Sequence, residues 1–158
     1  MAWSNSKIFR QYLADIIDNT TAMDWTTDAL VKAALYDNDI TPDNDVTAAN
    51  SAYAAGQWVS AGNEVSDGAE WAVAGVNLAT RTTNVGTADV VFLDADNTAS
   101  GSSATLAAVF GCLVYDDTIT TPVADQGFCY NYFGGTQSVT DGTFTIVWHA
   151  NGVMRFTL

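Results

Sequence analysis

The apolar positions of this chain change their spacing along its length. In residues 5 to 18, Ile8, Phe9, Tyr12, Leu13, Ile16 and Ile17 recur at helical intervals. Asn5 or Ser6 is placed to cap a helix there, and Asp18-Asn19-Thr20-Thr21 to end it; the helix is expected to pack on the chain's own sheet, with a docking arm for another subunit as the alternative. In "DALVKAALYD", Val31, Ala33 and Leu35 alternate and a turn cluster with Pro42 follows, so a strand is expected. "TAANSAYAA" (47–55) reads as a short helix ended by Gly56. From residue 62 onward Thr, Val and aromatics dominate. Turn signals recur at Asp67-Gly68, Asn84-Val85-Gly86, Asp94 to Asn97, Gly134-Gly135, Asp141-Gly142 and Asn151-Gly152. That texture is all-β.

The closing segment makes the firmest local prediction. Asn151-Gly152 suits a two-residue type I′ turn, which sets Ala150 opposite Val153, Trp148 opposite Arg155 and Ile146 opposite Thr157. One face then carries Phe144, Ile146, Trp148 and Val153, and the other Val147, Met154, Phe156 and Leu158. Apolar groups on both faces call for cover on both, from the core and from a second layer, either the N-terminal helix or a neighbouring subunit. The expected fold is mainly β (α+β): an antiparallel β-sandwich or barrel-like domain with an N-terminal amphipathic helix. It is a single domain over 1–158, with a helical arm at 1–21 and a β-rich body at 28–158. "DNTASGSSAT" (96–105) is expected to be a flexible tip.

Composition narrows the function. With 158 residues, 48% apolar and 15% charged, the chain can bury a core and is too apolar for disorder. It shows no membrane-length apolar run and no secretion signal. Acids outnumber Lys and Arg 18 to 5, for a net charge of −13. Direct nucleic-acid binding needs cations to displace phosphate counterions, so it is not expected, nor is binding to anionic membranes. Cys112 and Cys129 sit in apolar strand-like stretches. They fit two buried thiols in a reducing cytoplasm or, if their strands are neighbours, a bridge.

Catalytic signals are absent. There is no G-x-S-x-G, HExxH or phosphate-binding glycine loop, and the lone His149 lies on a predicted strand, facing solvent or an interface. Asp37, Asp39, Asp43 and Asp45 raise a calcium question. An EF-hand loop starting at Asp37 would have Pro42 where Gly is required and Ala48 where Glu is required. A loop starting at Asp94 fails at Ala99 and Thr105. A looser site from Asp43, Asp45 and a carbonyl is the remaining, weak metal candidate; otherwise no metal, cofactor or catalytic residue is expected. Among the tryptophans, Trp148 is assigned to the core, and Trp3 and Trp25 to an interface.

Five stretches, "VKAALYDNDITPDND", "NEVSDGAEWAVAGVNL", "FLDADNT", "FGCLVYDD" and "FGGTQSVTDGTFTIVWHANGVMRFTL", occur in that order. Together, over roughly residues 30 to 158, the chain resembles a family of tailed-bacteriophage virion structural proteins. The order and spacing carry the resemblance, and Ala74-Gly75-Val76 stands where that family has a double glycine. The resemblance implies a non-enzymatic capsid (head) decoration protein. Such a protein is assembled in the host cytoplasm, sits on the outer surface of the capsid bound to the major capsid protein, and self-associates, by analogy as a homotrimer. The expected capsid or subunit interface is Trp3, Lys7, Ile8, Phe9, Arg10, Tyr12, Leu13 and Trp25, and removing residues 1–18 is expected to leave a folded β-domain. Two alternatives are a tail, collar or fibre component with a receptor- or carbohydrate-binding role, and a small calcium-dependent enzyme or lectin.

Overall fold

The structure, a computed structural model, describes residues 3–21, 23–27, 30–86 and 89–158. The extreme start of the expected arm and the residues that open the expected body at 28 therefore lie outside the described residues. In chain order the elements are β1 (Lys7–Ile8), α1 (Arg10–Ile17), β2 (Val31–Tyr36), α2 (Ala48–Ser51), β3 (Glu64–Val65), β4 (Val76–Asn77), β5 (Thr82–Val85), β6 (Val90–Asp94), β7 (Thr98–Ala99), β8 (Ala104–Asp116), β9 (Gly127–Gly142), β10 (Thr145–Ile146) and β11 (Met154–Thr157). The fold is mainly antiparallel β. A six-stranded sheet runs β1-β9-β8-β2-β3, with β4 also on β2. A three-stranded sheet runs β11-β6-β5, and β10 pairs with β7. Of the two expected forms, sandwich or barrel-like, no closed barrel is found among the described residues: the large sheet is open, with β1 and β3 at its ends.

Burial follows the apolar pattern. β2 is nearly all apolar and lies between β8 and the β3/β4 edge in the sheet; consecutive residues from Ala33 to Tyr36 are buried, so both of its faces are covered. Its one charge, Lys32, is neutralised by Asp117 at 2.6 Å. β8 and β9 form a long hairpin whose two halves differ. The half at residues 111–116 and 127–130 is buried on both faces, whereas in the far half only Ala104, Leu106 and Val109 of β8 are buried and β9 is half-buried or exposed throughout.

One row across the sheet organises the aromatic core. Tyr36 of β2 pairs with Gly111 of β8, which pairs with Tyr132 of β9. Gly111 leaves room between the two tyrosines, and the Trp3 ring occupies it. A Cβ at Gly111 would come within 2.5 Å of the Trp3 ring. Trp3 meets Trp58 edge-on at 5.9 Å and stacks on Tyr132 at 6.3 Å; its indole N–H donates to the Asp37 carbonyl at 2.6 Å. Phe9 packs on Tyr130 at 5.5 Å, and Trp58 on Tyr36 at 5.1 Å.

The N-terminal segment departs from expectation. The helix occupies Arg10–Ile17 rather than 5–18, because Lys7–Ile8 pairs with Tyr130 and Cys129 of β9 instead. Ser6, expected to cap the helix, accepts the Tyr132 N–H at 2.9 Å. The segment is not a detached arm. Asp15 and Gln126, both buried, tie it down: Gln126 Nε2 donates to Asp15 Oδ2 at 2.7 Å, and Thr21 Oγ1 donates to Gln126 Oε1 at 2.8 Å. Tyr12 stacks on Phe128 at 4.6 Å.

The closing hairpin is also different. His149 and Gly152 form an isolated bridge, so the tight turn is centred on Ala150-Asn151, one residue earlier than expected. Its arms then part. Thr145–Ile146 joins β7, and Met154–Thr157 joins β6, with Arg155 opposite Phe92 rather than Trp148. Local turn chemistry selected the turn, but pairing with distant strands fixed the arms. The segment 96–105 is no loose tip either: Thr98 and Ser100 are buried, and Ser100 exchanges backbone and hydroxyl hydrogen bonds with Phe144. Gly134-Gly135, expected as a turn, lies inside β9 as a bulge, where residues 133–136 stand against Phe110 alone. The short helix near residue 47 is present as Ala48–Ser51, capped by Thr47, and ends well before Gly56.

Candidate functional site

An open cleft of about 440 Å³ lies beside the β9 bulge. One wall is β9, with Asn131, Tyr132, Phe133 and Gln137; the other is the extended stretch from Phe144 to His149. Ser6 and Gly152 complete it. The walls are held from behind. Tyr132 rests on the buried Trp3, and Phe133 packs on Phe144 at 6.3 Å, which in turn meets the buried Trp71 edge-on at 5.8 Å. The second wall is fastened to residues 97–100. Phe144 N–H donates to Ser100 Oγ at 2.8 Å, β10 pairs with β7, and Trp148 donates its backbone N–H to Asn97 Oδ1 at 3.2 Å and its indole N–H to Thr98 Oγ1 at 3.1 Å. The bulge sets Phe133 and Gln137 on the same cleft although they flank an irregular stretch. In a chain of 18 acids, no Asp, Glu, Lys or Arg among the described residues lines this cleft.

A shallower depression of about 270 Å³ shares Ser6 and Asn131 with it and is lined also by Lys7 and Arg155.

The expected interface residues divide in two. Trp3, Phe9, Tyr12 and Trp25 are core residues, 1%, 0%, 0% and 3% exposed, and offer no side-chain surface to a partner. Each found its partners within the chain. Trp25, for example, shares its indole N–H between the Thr82 and Asp94 carbonyls at 3.1 and 3.2 Å. Lys7 and Arg10 are exposed, Arg10 bridging Asp45 at 2.8 Å, while Ile8 and Leu13 are half-buried. Trp148, assigned to the core from sequence, is the tryptophan that lines the cleft and stays partly exposed. Trp3 and Trp25 are thus core rather than interface, whereas Trp148 packs against the core and shows part of its ring to the cleft. His149 is exposed, and its Nδ1 accepts the Asn151 N–H at 3.1 Å.

The aspartates serve the backbone. Asp37 accepts from Asp39 N–H at 2.8 Å, and Asp43 from Asp45 N–H at 2.9 Å. Asp24 accepts from Thr26 and Thr27, and Asp116 from Thr118. Asp67 accepts from Glu70 and Trp71 N–H with one oxygen and from Thr105 N–H with the other, and these bonds, that from Trp71 foremost, hold it below the ordinary aspartate range. These are turn-closing bonds of the kind short acidic side chains favour. Asp43 and Asp45, the weak calcium candidates, are thus a turn acceptor and the partner of Arg10. Among the described residues, no three His, Cys, Asp or Glu side chains group as metal ligands.

Cys112 and Cys129 are free, buried thiols two rows apart in the β8–β9 pair, Cys112 opposite Asn131 and Cys129 opposite Val114. Burial raises both, Cys129 to about 12. No family model, curated protein or solved structure matches the chain.

Proposed function

We propose that this chain is a non-enzymatic virion protein of a tailed bacteriophage that binds the outside of the head shell, contacts the major capsid protein and stabilises the head. In this reading residues 1–158 are one domain, and the six-stranded and three-stranded sheets are the layers of a sandwich-like body. The ordered resemblance of residues 30–158 to phage virion proteins supports it, as does a surface with net charge −13 that repels DNA.

One structural observation carries the contact surface. On the core-facing side of the three-stranded sheet, Val85, Val91 and Phe156 form one cross-strand row, and Leu158 lies two residues beyond Phe156. Leu93 and Met154, in the next row on that face, are core. The apolar face therefore runs on past the core: Val85 and Leu158 are 83% and 86% exposed. Exposed apolar side chains clustered in this way mark contact surfaces. We assign this overhang to the capsid shell, and the exposed Ile16 and Ile17 of α1 to contacts between copies of the chain in a trimer.

The test is binding of purified protein to heads that lack it, followed by co-sedimentation. Wild type should bind. Val85→Asp and Leu158→Asp, both at exposed positions, should keep the fold and lose binding by at least about tenfold. Undiminished binding by both variants would refute the assignment. The aromatic cleft favours one second reading, a tail, collar or fibre component with a carbohydrate-binding role, which would place few copies at one vertex instead of many over the head.

A further inference from the structure

We infer that the cleft between β9 and the Phe144–His149 stretch binds a neutral sugar residue, stacked on Trp148 or Tyr132 and hydrogen-bonded by Asn131 and Gln137. The inference does not depend on a head or tail location for the chain.

Three features lead to it. The first is charge. The described lining contains no Asp, Glu, Lys or Arg in a protein with 18 acids, only the imidazole of His149, so the cleft offers an ionic ligand no fixed countercharge. The second is the combination of rings and amides. A pyranose offers apolar C–H faces and a rim of hydroxyls that both donate and accept. Partly exposed Tyr132, Phe133 and Trp148 match the faces, and the exposed Gln137 amide, with donor and acceptor atoms, matches the rim; Asn131 Nδ2 gives one N–H to Cys129 Sγ at 3.4 Å, which leaves Asn131 its second N–H and its oxygen. The third is preorganisation. Tyr132 is stacked on Trp3, and Trp148 is fixed at backbone and side chain by Asn97 and Thr98, so a ligand meets walls already in place.

A proline-rich peptide also docks on aromatic-lined grooves and is the competing occupant of this cleft. The Trp148 indole N–H is already given to Thr98 Oγ1, so this side chain has only its ring to offer a ligand. Stacking on a sugar uses the ring alone.

The experiment screens the purified full chain on an array of neutral and sialylated glycans, with a proline-rich decapeptide as comparator. The neutral monosaccharide of the best binder is then titrated by NMR to about 50 mM, a range that captures millimolar affinity. The expected result is binding of a neutral glycan, with shifts at Tyr132, Gln137 and Trp148. Gln137→Ala, Val147→Arg and Trp148→Ala should each weaken it at least about tenfold. Gln137 and Val147 are exposed, so those two variants keep the fold even if Trp148→Ala does not. Failure of every neutral glycan to bind, binding of sialylated glycans alone (which would point to Lys7 and Arg155 next door), preference for the peptide, or neutral-glycan binding unchanged in the exposed-site variants would each overturn the inference.

Discussion

The indole of Trp3 lies on Gly111. A Cβ added to that glycine would stand 2.5 Å from one Trp3 ring carbon, 2.7 Å from another and 2.4 Å from the Asn131 carbonyl oxygen. The contact joins the first described residue to the middle of β8, and through Tyr132 it also supports the cleft.

Gly111→Ala should therefore destabilise the protein by about 2–4 kcal/mol, since neither the neighbouring backbone nor a fully buried indole can yield cheaply. Trp3→Ala should cost about 3–5 kcal/mol. By the same logic a chain without residues 1–18 loses Trp3, Phe9 and Tyr12 from its core and should not fold, contrary to the expectation from sequence that a β-domain would remain. Urea unfolding followed by tryptophan fluorescence measures the two variants, and near-ultraviolet circular dichroism the truncation. A truncated chain with native-like spectra and cooperative unfolding would refute this account of the core.

Why sequence reasoning missed this is visible at particular residues. β2 was legible because "VKAALY" has the apolar run of a strand covered on both faces. Trp3 looked like an interface residue because nothing near it in sequence shows that a glycine more than a hundred positions away opens a slot for it. Trp148 looked like core because it sits in an apolar alternation, yet its strand pairs only briefly with β7 and leaves the ring at a cleft. Asn151-Gly152 announced a tight turn, and a turn is there, but the strands leaving it belong to different sheets. The cleft itself was not legible. Phe144, Ile146 and Trp148 were read onto one face, but the opposite wall depends on a bulge in β9, and register shifts leave no periodic signal.

Two carboxylates should titrate with opposite consequences. Hydrogen bonds from backbone N–H groups hold Asp67 below the ordinary aspartate range, so its contribution is present above that range and lost as pH falls through the lowered value. Asp67→Ala should then be less stable than wild type at neutral pH, with the deficit narrowing in acid. Burial raises Glu64 above the ordinary glutamate range, so the folded chain holds that proton longer than the unfolded one, and stability falls as pH rises through that window. Glu64→Gln can still accept from Ala74 N–H, as Glu64 Oε1 does at 2.8 Å, and its advantage over wild type should grow from acid to neutral pH. Denaturant midpoints across that pH range provide the check. Parallel pH profiles for either variant and wild type would contradict the corresponding assignment.

The two thiols should be inert in the folded protein. Cys112 and Cys129 are buried and raised, Cys129 to about 12, which leaves almost no thiolate at neutral pH. A colourimetric thiol reagent should find neither in native buffer and both in denaturant. Rapid labelling of either in the native state would show that the β8–β9 base is less closed than described.

The proposal that the chain decorates a head shell is tested most directly by cryo-electron microscopy of purified virions, with density for this fold located and its copies counted. The account predicts copies over the whole outer surface of the head, in numbers set by the shell's repeated symmetry, with the end of the three-stranded sheet at Val85 and Leu158 turned toward the capsid protein. Roughly a dozen copies or fewer, confined to one vertex or to the tail, would contradict it.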